Sequence, residues 1–126
     1  MNHLSLTNLT RGELPRLPFR KITEKILSKK YSLSVVFTGN KRAARLNKKY
    51  RGKNYAPDVL AFPLSDKSGE IFIAPKAASR QAALFGEPTA KYIGRLFIHG
   101  LLHLKGYRHG SKMEHEERKI LRRIDS

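Results

Sequence analysis

One stretch constrains this chain more than any other. From about Thr89 to Lys105 the sequence reads as a single long helix, apolar around most of its circumference, that nevertheless carries two histidines. Ile93, Phe97, Leu101 and Leu104 recur at the spacing of a core face. Leu96, Ile98 and Leu102 widen the apolar surface, so the second half of the helix is expected to be buried. His99 and His103 lie one turn apart and project from the same side. Imidazoles in such surroundings must be hydrogen-bonded, liganded or facing a cleft. Lys105-Gly106 then reads as a helix C-terminus, a cation in the last turn followed by a residue free to turn left-handed. The chain can double back there and bring His109 to the same point. Three converging imidazoles suit Zn²⁺, with a fourth position open for water. The expected metal ligands are therefore His99, His103 and His109, around one ion.

The remaining sequence supplies something for that helix to pack on. At 126 residues the chain is expected to form one domain, 1–126, large enough for a real core. Residues 11–18, with Gly12, Pro15 and Pro18, read as a loop entering a helix over 19–30, where Ile22, Ile26 and Leu27 have helical spacing. Ser32–Thr38 is rich in β-branched and aromatic residues and reads as a strand. Asn40 is the expected N-cap of a helix through about Tyr50. Val59–Phe62 and Glu70–Ala74 read as strands joined by the polar turn Ser65–Gly69. Pro75 can start a short helix through Phe85, and a last helix covers 111–124. The expected class is α+β: a small mixed sheet of three to four strands flanked by about five helices.

Spacing and charge narrow the chemistry. The zinc-protease helix motif is His-Glu-x-x-His, with Glu as general base. Here Gly100 follows His99, which argues against peptide hydrolysis, although a metal would still acidify water towards neutral pH. Lys and Arg number 26 against 10 Asp and Glu, a net charge of +16. Such a field attracts polyanions, of which nucleic acid is the commonest, and no small phosphorylated substrate requires it. Seven of the thirteen residues from Lys41 to Lys53 are cationic, with no acid among them. Arg51 stands at the end of that run, beside Gly52, where it can give a phosphate two parallel hydrogen bonds. There are no cysteines, which excludes disulfides and thiolate zinc sites and agrees with a cytoplasmic location. No apolar run approaches the ~20 residues of a membrane span, and the N-terminus lacks a signal-peptide pattern.

His99-Gly-Leu-Leu-His103-Leu-Lys-Gly-Tyr-Arg-His109 resembles the signature of the YbeY family, bacterial metal-dependent endoribonucleases of ribosomal RNA maturation and ribosome quality control. Leu46-Asn-Lys-Lys-Tyr50-Arg51 and Pro57-Asp-Val-Leu-Ala-Phe-Pro63 are similar to two further family segments, in the same order. The resemblance implies a zinc site at His99, His103 and His109, and a catalytic role for Arg51 and His99. It implies single-strand-specific cleavage in maturation of the small-subunit rRNA 3′ end. The implied partners are ribosomal RNA, the small ribosomal subunit and ribosome assembly proteins, with neither membrane nor DNA expected. The alternative is a metal-stabilised RNA-binding assembly factor without nuclease activity.

The sequence departs from the family pattern at Arg108, where an Asp usually stands beside the third ligand. An arginine turned inward would oppose a metal cation, so Arg108 is expected to point outward. The N-terminal region reads as abbreviated, with its edge strand short or missing. Asp58 is a candidate hydrogen-bond partner for a ligand histidine or, equally, for a turn. His115, among Glu114, Glu116 and Glu117, is expected on a solvated helix face, and Tyr107 is expected to pack rather than stack on a base.

Overall fold

A computed structural model describes residues 3–125; Met1, Asn2 and Ser126 of the expected 1–126 domain lie outside the described residues. The elements in chain order are β1 (His3–Asn8), α1 (Phe19–Ile26), β2 (Ser32–Phe37), α2 (Asn40–Arg51), β3 (Val59–Ser65), β4 (Ser68–Ile73), α3 (Pro75–Leu84), α4 (Thr89–Lys105) and α5 (Ser111–Asp125). The strands form one mixed sheet in the order β1-β2-β4-β3. β2 runs parallel to both β1 and β4, while β3 and β4 form an antiparallel hairpin. This is the expected α+β class, with four strands and five helices among the described residues.

Alternation along the strands puts the β-branched and aromatic residues on one face. Val35 and Phe37 of β2 pair with Ile71 and Ile73 of β4, and all four are fully buried. Against this face lies α4, whose Ile93, Phe97, Ile98, Leu101 and Leu102 are no more than 2% exposed. Phe19 of α1 makes edge contacts with both Phe37 and Phe97, which ties the first helix to strand and long helix at once. Fully burying one such aromatic side chain stabilises the fold by roughly 1.5–3 kcal/mol.

Gly100 lets α4 come close. A Cβ placed there would stand 3.1 Å from Ile71 Cδ1 and 3.5 Å from two more Ile71 carbons. The position occupied by the protease glutamate is thus packed tightly against the sheet, and a side chain there would have to displace Ile71.

Several boundaries differ from expectation. β1 is neither short nor missing: it pairs with β2 through all six of its residues. Leu4 and Leu6 alternate with Ser5 and Thr7, a pattern of two leucines too short to announce a strand, and only Leu4 of β1 is part-buried. Helix α1 stops at Ile26, not at residue 30. Leu27 turns to an extended conformation (φ −101°, ψ 154°), which buries it and brings Tyr31 into the core. Asn40 is not the N-cap of α2: Gly39 holds that position, no side chain caps the helix, and Asn40 Oδ1 is buried without a hydrogen-bond partner. The β3–β4 hairpin is tighter than expected, with strand register running to Ser65 and Ser68. Pro63 is tolerated because β3 is the sheet's other edge.

Gly100→Leu should cost roughly 1–3 kcal/mol through overpacking against Ile71. Urea denaturation of the two proteins checks this, with the midpoint falling and the slope unchanged.

Candidate metal centre

The turn after α4 gathers the three histidines. Gly106 ends the helix with φ 110°, a left-handed conformation that strongly favours glycine. Tyr107 N–H donates to the Leu102 carbonyl, so the chain reverses within a few residues and His109 returns over the last turn. Ring centroids are 4.6 Å apart for His99–His103, 5.0 Å for His99–His109 and 4.6 Å for His103–His109. One nitrogen from each ring lies within 4.8 Å of the others.

Hydrogen bonds fix which nitrogens face inward. His103 Nδ1 lies 3.2 Å from the Tyr107 carbonyl oxygen. A carbonyl only accepts, so Nδ1 carries the proton and Nε2 keeps its lone pair. His99 Nδ1 meets the Glu117 carboxylate, which sets the same tautomer. The two Nε2 atoms then face each other 3.1 Å apart with both lone pairs turned inward. That arrangement is repulsive alone and attractive around a cation. Four-coordinate zinc with bonds of about 2.0–2.1 Å places neighbouring nitrogens roughly 3.4 Å apart. The residues present therefore fit a metal ion that His99, His103 and His109 could hold.

The surroundings favour the metal-binding form. Burial is the largest influence on the His103 imidazole and pushes its pKa below the ordinary value of 6.5; the His99 charge adds to this, and the Tyr107 hydrogen bond opposes it. His103 is thereby kept neutral, as a metal ligand must be. Arg108 is exposed and does not line the cleft at the histidines, so its charge points outward as expected. Tyr107 packs against the core, and His115 is exposed.

A cleft of about 960 Å³ opens beside the cluster, and its walls include His99, His103, His109 and Arg51. Arg51 is the last residue of α2, and Gly52 behind it is left-handed at φ 68°, the break that the sequence implied. Sequence reasoning missed two residues here. Arg80 of α3 lines the same cleft, with nothing in its local sequence to mark it. Glu117 is the carboxylate behind His99, while Asp58 accepts from the Tyr92 hydroxyl at 3.1 Å and reaches no histidine. The signal for Glu117 was present: it follows the buried Met113 by four residues and precedes the buried Ile120 by three, so it shares their inward face.

Fold and site together define an α+β protein with a three-histidine, metal-competent centre opening into a cationic cleft. A family model described as Endoribonuclease YbeY matches residues 10–125, and the chain belongs to the YbeY family. It is 38% identical over 102 residues to Endoribonuclease YbeY of Thermodesulfovibrio yellowstonii, covering 71% of this chain and 64% of that protein. The relative from Aster yellows witches'-broom phytoplasma is 34% identical over 124 residues, with 85% of each chain covered. The chain thus spans a little under two thirds of the length of the Thermodesulfovibrio protein. The solution structure of TM1509 from Thermotoga maritima superposes with a TM-score of 0.70 at 26% identity, covering 96% of this chain and 88% of that one.

Two outcomes are expected. Glu117→Ala should weaken zinc affinity roughly 10- to 100-fold, measured by calorimetric titration, while the metal-free melting temperature changes little. Because the folded His103 pKa lies below its unfolded value, the unfolded chain takes up protons more readily in acid. Stability of the metal-free protein should therefore be full above about pH 6.5 and fall as pH drops below it, and His103→Gln should flatten that fall in thermal melts.

Proposed function

We propose that this chain is a zinc-dependent, single-strand-specific endoribonuclease of ribosomal RNA maturation, acting at the small-subunit rRNA 3′ end and in ribosome quality control. The observation that carries this reading is the placement of Arg51 in the same cleft as the three inward-facing histidines. One ion held by His99, His103 and His109 would supply a Lewis acid that acidifies water and draws charge from a phosphoryl oxygen. Arg51 presents a planar fork that binds a phosphate through two parallel hydrogen bonds, a geometry a lysine cannot offer. A guanidinium in that cleft can stabilise the negative charge that grows as a phosphodiester is attacked. Glu117 and the Tyr107 carbonyl hold the two helix imidazoles in the required tautomer. The net charge of +16 draws RNA to the surface irrespective of sequence. Relatives named Endoribonuclease YbeY support the reaction class. Ribosomal RNA, the small subunit and ribosome assembly proteins are the proposed partners.

A non-catalytic RNA-binding factor would share the charge and the histidines, and Arg51→Ala in zinc-loaded protein separates the two. An enzyme should lose on the order of 100-fold in kcat or more, with a modest loss of RNA affinity and zinc content unchanged. Equal cleavage by the variant and the parent, followed on a labelled single-stranded RNA, would sink the assignment of Arg51. His103→Ala should abolish zinc binding; unchanged zinc by elemental analysis would sink the ligand assignment.

A further inference from the structure

The cleft contains one aromatic side chain that the fold does not use. Tyr55 lies in the loop between α2 and β3, and its backbone is pinned there. Its carbonyl accepts a 3.0 Å hydrogen bond from the Asn47 side-chain amide, and Asn47 is wholly buried on α2. The Tyr55 side chain is the opposite: the residue is 53% exposed and forms part of the cleft wall. Among the described residues its ring packs on no other ring and its hydroxyl makes no hydrogen bond. Tyr50 differs, since its ring tilts against Phe62 at 5.2 Å and lies under the Lys49 ammonium. Arg80 of α3 lines the same cleft and is exposed. It takes no part in the Arg95–Glu87 or the His99–Glu117 ion pair.

A phenol ring without partners, on a backbone tethered by the Asn47 amide, in the same cleft as an exposed guanidinium, matches the chemistry of a single-stranded nucleotide. The ring offers a π-face to any base, and the guanidinium takes a phosphate. A base inside a duplex has both faces covered by its neighbours and cannot use the ring. We propose that Tyr55 and Arg80 form a nucleotide subsite flanking the metal centre, in which Tyr55 stacks on an unpaired base and Arg80 binds the phosphate of that nucleotide or the next. The subsite rests on the endoribonuclease reading, because it holds a nucleotide of the same strand whose phosphate Arg51 binds. Preference for single strands then belongs to Tyr55 rather than to the histidines.

The test measures binding. Zinc-loaded protein is titrated by fluorescence anisotropy with a short 2′-O-methyl oligoribonucleotide of mixed sequence, and with the same backbone carrying abasic residues. Tyr55→Leu should weaken binding of the base-containing strand roughly tenfold and leave the abasic strand unchanged, and Tyr55→Phe should restore the parent affinity. Arg80→Ala should weaken both strands alike and reduce the salt slope by about one unit. Parent binding with an unaltered Tyr55→Leu affinity, or an equal loss on both strands, overturns the Tyr55 subsite alone. Failure of the parent protein to bind either strand overturns the endoribonuclease reading together with the subsite.

Discussion

The contact between Gly100 and Ile71 determines where everything else at the site can be. Successive residues of a helix are rotated by about 100°, so fixing Gly100 against the sheet fixes the direction of every other α4 side chain. His99 and His103 both fall on one flank of that contact, at about −100° and −60°. Ile93, Leu104, Phe97 and Leu101 fall on the other, at about +20° to +100°. The apolar flank enters the core and the imidazole flank reaches the cleft, without either half of the helix leaving the sheet. The same contact accounts for the missing protease base. A side chain at position 100 would meet Ile71 at its first carbon, so a glutamate there would loosen the close packing of helix on sheet.

Once the helix is seated, the electrostatics of the cluster follow from its neighbours. Each helix imidazole gives its Nδ1 proton to an acceptor, one a carboxylate and the other a carbonyl, and both lone pairs are left pointing inward. This positions negative charge behind His99, on the side away from the cleft, in a chain whose net charge is strongly positive. The family places an acid beside the third ligand, where this chain has Arg108. Here the acid near the centre comes from α5 as Glu117, and Arg108 is exposed. A cation next to His109 in sequence is thus compatible with a cation-binding centre, because sequence adjacency and spatial adjacency diverge at the turn.

What the sequence revealed tracks what is local. The histidine spacing, the glycine turn at 106, the break at Gly52 and the apolar stripe of α4 are each decided within a few residues, and each is where the spacing implied. Arg51 reached the cleft because its motif ends a helix. The features that escaped depend on distant partners. β1 carries an alternation of only two leucines, and it is the pairing edge offered by β2 that makes it a strand. Helix α1 ends early because Leu27 and Tyr31 are needed in the core. Glu117 shares the stripe of Met113 and Ile120, but that this stripe meets His99 is decided by the packing of α5 on α4. Arg80 enters the site only because α3 follows the β3–β4 hairpin back past the cleft.

The basic segment shows how one buried residue can serve a charged surface. Asn47 is the single fully buried polar residue of α2, in a run otherwise dominated by lysine and arginine. Its backbone carbonyl accepts from Gly52 and Lys53 at the helix end, and its side-chain amide reaches across to the Tyr55 carbonyl. The chain is therefore held on both sides of the left-handed turn at Gly52. Arg51 before the turn and Tyr55 after it are presented to one cleft from fixed backbone. Charge alone would draw a polyanion to any of the exposed cations on this helix. It is the clamp at Asn47 that gives the two cleft residues on either side of the turn a defined backbone instead of a diffuse field.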